Sequence, residues 1–235
     1  MIGIPYTYSG CPLFGYHMKR ILLCLAATAM AQGAHASPVT SNSFVNAATY
    51  GFDPIAQPFT AGPETFAIGS NTGTYTSDNS YSVYGYAGGY GLADNGYWDG
   101  LGGYVGVNSS TSTIRFDFAN AVAAVGGFIN YAPTYYGDAI LSIYGAGNTL
   151  LEVFNLSADA PISTIYALND GAFRGFQRGQ ADIFAFTISG AYAVIDDLTI
   201  GGATDVSPVP LPAAAPLLMA ALGGLGLMAR RRKVA

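Results

Sequence analysis

The sequence predicts an all-β fold, an antiparallel β-sandwich of jelly-roll type, for most of its 235 residues. Three observations predict it. The chain carries 31 glycines, and each Gly in a helix interior costs about 1 kcal/mol relative to Ala, which argues against a helical bundle. Short runs rich in Val, Ile, Phe, Tyr and Thr are separated by Gly, Asn, Asp and Pro, the punctuation of strands and turns. The run Thr113-Ile114-Arg115-Phe116-Asp117-Phe118 alternates with a period of two, placing Ile114, Phe116 and Phe118 on one face. Roughly 170 residues in ten or eleven strands are enough to bury a core without disulfides.

Taken from the N-terminus, residues 1–17 put aromatic and turn-forming residues before the first charged pair, and read as an upstream extension preceding a true start at Met18. Residues 18–36 have the three parts of a signal peptide. Lys19 and Arg20 form the positive n-region and 21–30 a short apolar run. Ala34-His35-Ala36 forms an A-x-A cleavage site ahead of Ser37. The apolar run is too short to span a bilayer.

The body, 37–205, holds candidate strands at 44–50, 64–68, 81–86, 104–107, 113–118, 123–130, 139–144, 150–155, 172–177, 183–189 and 193–200. Between 72 and 106, tyrosines 75, 81, 84, 86, 90, 97 and 104 and Trp98 are interleaved with ten glycines. Such rings offer apolar faces and polar tips. Either Tyr84, Tyr86, Tyr90, Tyr97 and Trp98 form a surface that stacks on sugar rings, or they pack at the sandwich edge. In the closing strand, a strict period of two puts Asp196 on the face of Val194, Leu198 and Ile200. Asp196 then points inward unless a bulge shifts the register, and a buried carboxylate needs a cation or several hydrogen-bond donors.

After the body, residues 206–235 read as a membrane-directed tail. The segment 211–229 is 19 uncharged residues, roughly 28 Å as a helix and close to the ~30 Å hydrocarbon core. Arg230, Arg231, Arg232 and Lys233 follow at once, which assigns this end to the cytoplasm. The leader places the body outside, so both ends give one topology, with a single C-terminal transmembrane helix.

Val209-Pro210-Leu211-Pro212-Ala213, the apolar helix and the terminal Arg cluster resemble the PEP-CTERM sorting tail in its VPLPA variant. The resemblance covers about the last 27 residues. It implies recognition by an exosortase-type membrane transpeptidase, an inner-membrane precursor, and a final place at the cell surface or in an exopolysaccharide matrix. Val125-Gly126-Gly127-Phe128-Ile129, Phe173-Arg174-Gly175-Phe176 and the I-D-D-L strand also look like the body of many proteins bearing such tails. Ile195-Asp196-Asp197-Leu198 further resembles the last strand of calcium-containing jelly-roll carbohydrate-binding modules, and Gly51-Phe52-Asp53 their N-terminal partner segment. That resemblance implies a structural calcium held by Asp53 and Asp196; the alternative is a carboxylate satisfied by backbone N–H groups.

Composition limits the chemistry. All 14 acidic residues lie between Asp53 and Asp205, with only Arg115, Arg174 and Arg178 to offset them, so nucleic acid is excluded as a partner. Both cysteines and both histidines precede residue 37. The mature chain therefore lacks a Ser-His-Asp triad, a Cys-His pair and a conventional zinc site. No Gly-rich run leads into Lys-Ser/Thr, so there is no nucleotide loop. Glu64 and Glu152 are the only glutamates, and no spacing marks an acid–base pair. The sequence therefore favours a non-catalytic exported protein that binds or embeds in extracellular polysaccharide. A self-associating structural or adhesive surface protein is the alternative, and a glycoside hydrolase the distant third.

Overall fold

The structure, a computed structural model, describes residues 37–52, 58–98, 102–164 and 166–202. The leader with Ala34 and Ala36, Asp53, the sorting motif 209–213 and the basic cluster 230–233 lie outside the described residues. Among the described residues no helix is long and apolar enough to cross a membrane.

Sixteen strands are described. The first half of the chain supplies β1 (Ser37–Val39), β2 (Ala48–Tyr50), β3 (Glu64–Ile68), β4 (Asn71–Ser77), β5 (Val83–Gly85), β6 (Tyr90–Gly91), β7 (Tyr97–Trp98) and β8 (Tyr104–Gly106). The second half supplies β9 (Thr113–Val122), β10 (Ala124–Asn130), β11 (Ile140–Tyr144), β12 (Leu150–Asn155), β13 (Leu168–Asn169), β14 (Ala172–Gln177), β15 (Ile183–Ser189) and β16 (Val194–Gly201). One sheet has the order β1-β14-β10-β16-β8-β5, with β2 also on β16; the other runs β12-β11-β15-β9-β4-β3. Both are antiparallel, so the class predicted from the sequence, an all-β sandwich, is present.

The two sheets meet through alternate side chains. Ile114, Phe116 and Phe118 of β9 point inward, as their spacing predicts, together with Leu141, Phe186, Val125, Phe176 and Ile195 from neighbouring strands. Phe116 stacks on Phe186 at 6.4 Å between ring centres, and Phe176 meets Phe186 edge-on at 6.3 Å. Burying an aromatic or aliphatic side chain of this size contributes about 1.5–3 kcal/mol, so this layer dominates stability.

The strand β4 is absent from the sequence-derived set, because Asn-Thr-Gly-Thr-Tyr-Thr-Ser reads as a turn. It pairs along its length with β3 and β9. Gly73 sits opposite Phe66, whose ring fills the space a Cβ would take. Conversely, the expected strand 44–50 shortens to Ala48–Tyr50, because Phe44 leaves the ladder to pack on Ala124 and Phe173.

In the closing strand the bulged alternative holds for Asp196. Opposite β10, Phe128 faces Asp196 while Gly126 faces Thr199, so β16 carries one extra residue there. Asp197 takes a positive φ of 49° at that point. This β-bulge shifts the register, turning Ile195, Leu198 and Ile200 to the core and Asp196 to the outer face. Gly127 permits it: a Cβ there would come within 2.7 Å of the Asp196 carbonyl.

A small third sheet, β13-β7-β6, covers part of the outer face of the first sheet. Trp98, Leu92, Tyr90, Tyr104, Val83 and Val194 form its own buried cluster. Of the tyrosine- and glycine-rich stretch, β6 and β7 thus belong to an added layer, while β4, β5 and β8 belong to the two main sheets.

Candidate functional site

The added layer divides the predicted stacking residues. Tyr84, Tyr90 and Trp98 are buried. Tyr84 packs against Tyr75 at 4.7 Å between centres, inside the main core. The Tyr90 hydroxyl accepts from the Asn108 N–H at 2.7 Å, and the Tyr104 hydroxyl donates to the Gly88 carbonyl at 2.8 Å. Burial raises the pKa of both phenols, that of Tyr104 to about 12, so these hydroxyls stay neutral and internally used. Of the five predicted rings, Tyr86 and Tyr97 remain available, at 47% and 58% exposure.

Beside this layer lies an open cleft of about 310 Å³, whose wall includes Phe59, Tyr90, Tyr104, Asn108 and Tyr192. A second cleft of about 240 Å³ shares Gly91 and Tyr192 with it and adds Ala93, Ala132 and Tyr136. Tyr97 is in contact range of Gly91, the shared wall. Phe59 is 51% exposed and Tyr136 40%, and Tyr136 meets Tyr192 edge-on at 5.0 Å. No Asp, Glu, Lys, Arg or His lines either cleft among the described residues. The result is an uncharged trough of rings and small residues, near the lower end of the ~300–1,000 Å³ range of small-molecule sites.

Phe59, Asn108, Tyr136 and Tyr192 were not legible as site residues. A signal was present: Pro133-Thr134-Tyr135-Tyr136-Gly137 and Gly190-Ala191-Tyr192 are turn sequences, and an aromatic in a turn cannot serve a core strand. What was missing is the strand order that brings the two turns together.

A separate cavity of about 430 Å³ is more polar, lined among others by Asp94, Asp138, Ser157, Ser163 and Tyr131. Its carboxylates are engaged: Asp94 accepts from the Tyr166 hydroxyl at 2.9 Å and Asp138 from the Asn155 amide at 2.8 Å.

Asp196 lies half-buried on the outer face, and its carboxylate accepts the Asp197 N–H at 2.6 Å. Burial pushes its pKa up to about 6; that N–H pulls the other way, and the charges of Asp197 and Asp170 push it further up. Asp197, rather than Asp196, has its carboxylate beside Gly51, 3.4 Å from where a Cβ would stand. No group of three or more His, Cys, Asp or Glu side chains gathers as for a metal among the described residues.

No protein-family model matches the chain, and no curated protein matches it. Among solved structures, it is similar to the carbohydrate-binding module CsCBM6-3 from Clostridium stercorarium in complex with cellobiose, at 10% identity and a TM-score of 0.27. The alignment covers 74% of this chain and 99% of that one. A likeness that distant assigns neither fold nor activity.

Proposed function

We propose that this chain is a non-catalytic exported surface or matrix protein whose sandwich binds neutral polysaccharide in the aromatic trough. A leader at 18–36 directs export, and the VPLPA-type tail is handled by an exosortase-type transpeptidase. The observation that carries the binding part is the pairing of exposed rings with an uncharged wall. Sugar rings present apolar C–H faces to aromatic side chains, and a wall without ionic groups suits a ligand without charge. The acidic surface disfavours polyanions. The test is retention of the purified body on the organism's own exopolysaccharide and on a glycan array. Loss of one stacking ring removes about 1 kcal/mol, so Phe59→Ala and Tyr136→Ala should each weaken retention by roughly five- to tenfold. Equal retention of all three proteins, or none at all, would defeat it. Incubating the body with the retained glycan and finding no new reducing ends supports the absence of hydrolysis.

The second reading, self-association, has its own observation. The strand β12 exposes Leu150 and Val153 and stands last in the strand order of its sheet among the described residues, the position that invites strand-to-strand pairing. Light scattering without sugar separates the two. If copies associate through this edge, Val153→Lys should return the body to monomer; a monomeric wild type removes this reading.

A further inference from the structure

We infer that Tyr192 makes the trough selective for chains: one glycan strand crosses both clefts over its ring, so an extended polysaccharide is held more tightly than a short sugar. This rests on the glycan reading proposed above and deepens it. The two clefts, about 310 Å³ and 240 Å³, share Gly91 and Tyr192 and no other wall residue among those described. Gly91 has no side chain, so Tyr192 is the ring that stands between them. Phe59 belongs to the first cleft and Tyr136 to the second, and both are partly exposed. A ligand that touches both rings must pass over Tyr192.

The backbone beneath that ring singles it out independently. The connection from β15 to β16 turns at Gly190–Ala193, closed by the Ala193 N–H on the Gly190 carbonyl at 3.0 Å. Its two central residues, Ala191 and Tyr192, have φ of 48° and 51°. A turn with both central residues at positive φ is the place of Gly, Asn and Asp, and a bulky ring there is an outlier. The turn itself therefore does not call for a tyrosine. Packing uses only part of the ring, which leans on the buried cluster of the added layer and stays half-buried. Backbone strain of this kind gathers at ligand sites and persists only where the surroundings over-determine it. Here the Gly190, Ala191 and Tyr192 N–H groups donate to the carbonyls of Ser112, Ser110 and Ser109 at 2.9, 3.3 and 3.0 Å, and the Ala132 N–H donates to the Ala191 carbonyl at 2.8 Å. The first three bonds tie the turn to the segment that follows Asn108, on the wall of the first cleft. The last ties it to Ala132, on the wall of the second. Tyr192 is thus fixed against both walls before a ligand arrives, which lowers the ordering cost of binding.

The test titrates the full chain, held in a detergent without a sugar headgroup, with size-graded oligosaccharides cut from the organism's own exopolysaccharide. Long fractions should bind roughly five- to tenfold more tightly than the shortest, because only they reach Phe59 and Tyr136 together. Phe59→Ala and Tyr136→Ala should each reduce that advantage. Tyr192→Asn and Tyr192→Gly both suit the left-handed backbone, and each should bring the long fractions down towards the affinity of the short ones. Tyr192→Phe keeps the ring and should keep the advantage. Equal affinity of the wild type for short and long fractions, or an undiminished advantage in the Asn and Gly variants, overturns the inference and leaves glycan binding in place. A wild type that binds no fraction removes the glycan reading and this inference together.

Discussion

Asp196 illustrates how one side chain can work against the fold that holds it. Its pKa is raised to about 6 from an ordinary 3.8, so between those values the folded state keeps a proton that the unfolded chain has lost. Stability therefore falls as pH rises from about 4 to about 6, and the penalty is complete at neutral pH. Asp196→Asn removes the titration: melting should rise at pH 7–8 and be unchanged near pH 4. Calcium offers a second relief, since a cation would favour the charged form. If Asp196 contributes to a calcium site, added calcium at pH 7.5 should raise the melting temperature of the wild type but not of Asp196→Asn. A calcium-independent wild type would remove the metal from the account. The sequence showed that this residue was unusual, but not which way it faced. The bulge depends on Gly127 and Asp197 together, and neither marks it alone.

At the level of elements, the added layer is tied down by amides. The Asn95 side chain donates to Asn130 Oδ1 at 2.9 Å, Asn130 donates to Asn169 Oδ1 at 2.7 Å, and Asn169 donates back to the Asn95 carbonyl at 2.8 Å. These residues come from the 3₁₀ turn Ala93–Asn95, β10 and β13. Asn130→Ala takes the acceptor from the buried Tyr131 N–H and one bond from each of Asn95 and Asn169, and should cost about 2–3 kcal/mol in urea denaturation. The loss should be local first. Trp98, the only tryptophan, sits in this layer, so its emission should shift red at urea concentrations where far-ultraviolet circular dichroism is still native. If the two transitions stay together, the layer is not a separate unit. None of this was legible in the sequence: β6, β7 and β13 are two residues each, too short to show a period. Strands β12, β14 and β15 were legible to the residue, because turn sequences flank them: Gly147-Asn148-Thr149 before β12, Asn169-Asp170-Gly171 before β14 and Gly190 after β15. The failure at β4 has the same origin as that success. Its outward side chains are threonines and one of its inward positions is a glycine, so only the neighbour Phe66 explains it.

For the whole molecule, the sequence was sufficient for class and composition but not for the trough. Alternation at 113–118 and glycine content gave the sandwich. The trough needs Phe59, Tyr136 and Tyr192 to converge from three separate segments, and only strand order accomplishes that. Composition still carries one prediction unaided. With no cysteine after residue 36, no disulfide contributes to the stability of the body, and a reductant should leave its melting temperature unchanged. A shift would mean that residues before Ser37, with Cys11 of the upstream extension and Cys24 of the leader, persist in the mature protein.

The position of β16 has a consequence for how the molecule comes into being. It is the last strand of the body, yet it lies in the middle of its sheet, between β10 on one side and β8 and β2 on the other. A polypeptide emerging from its N-terminus cannot complete that sheet until the eight residues of β16 are delivered. The half-built protein must wait with its interior open, and a chain cut short before Val194 would have no keystone to drop into place.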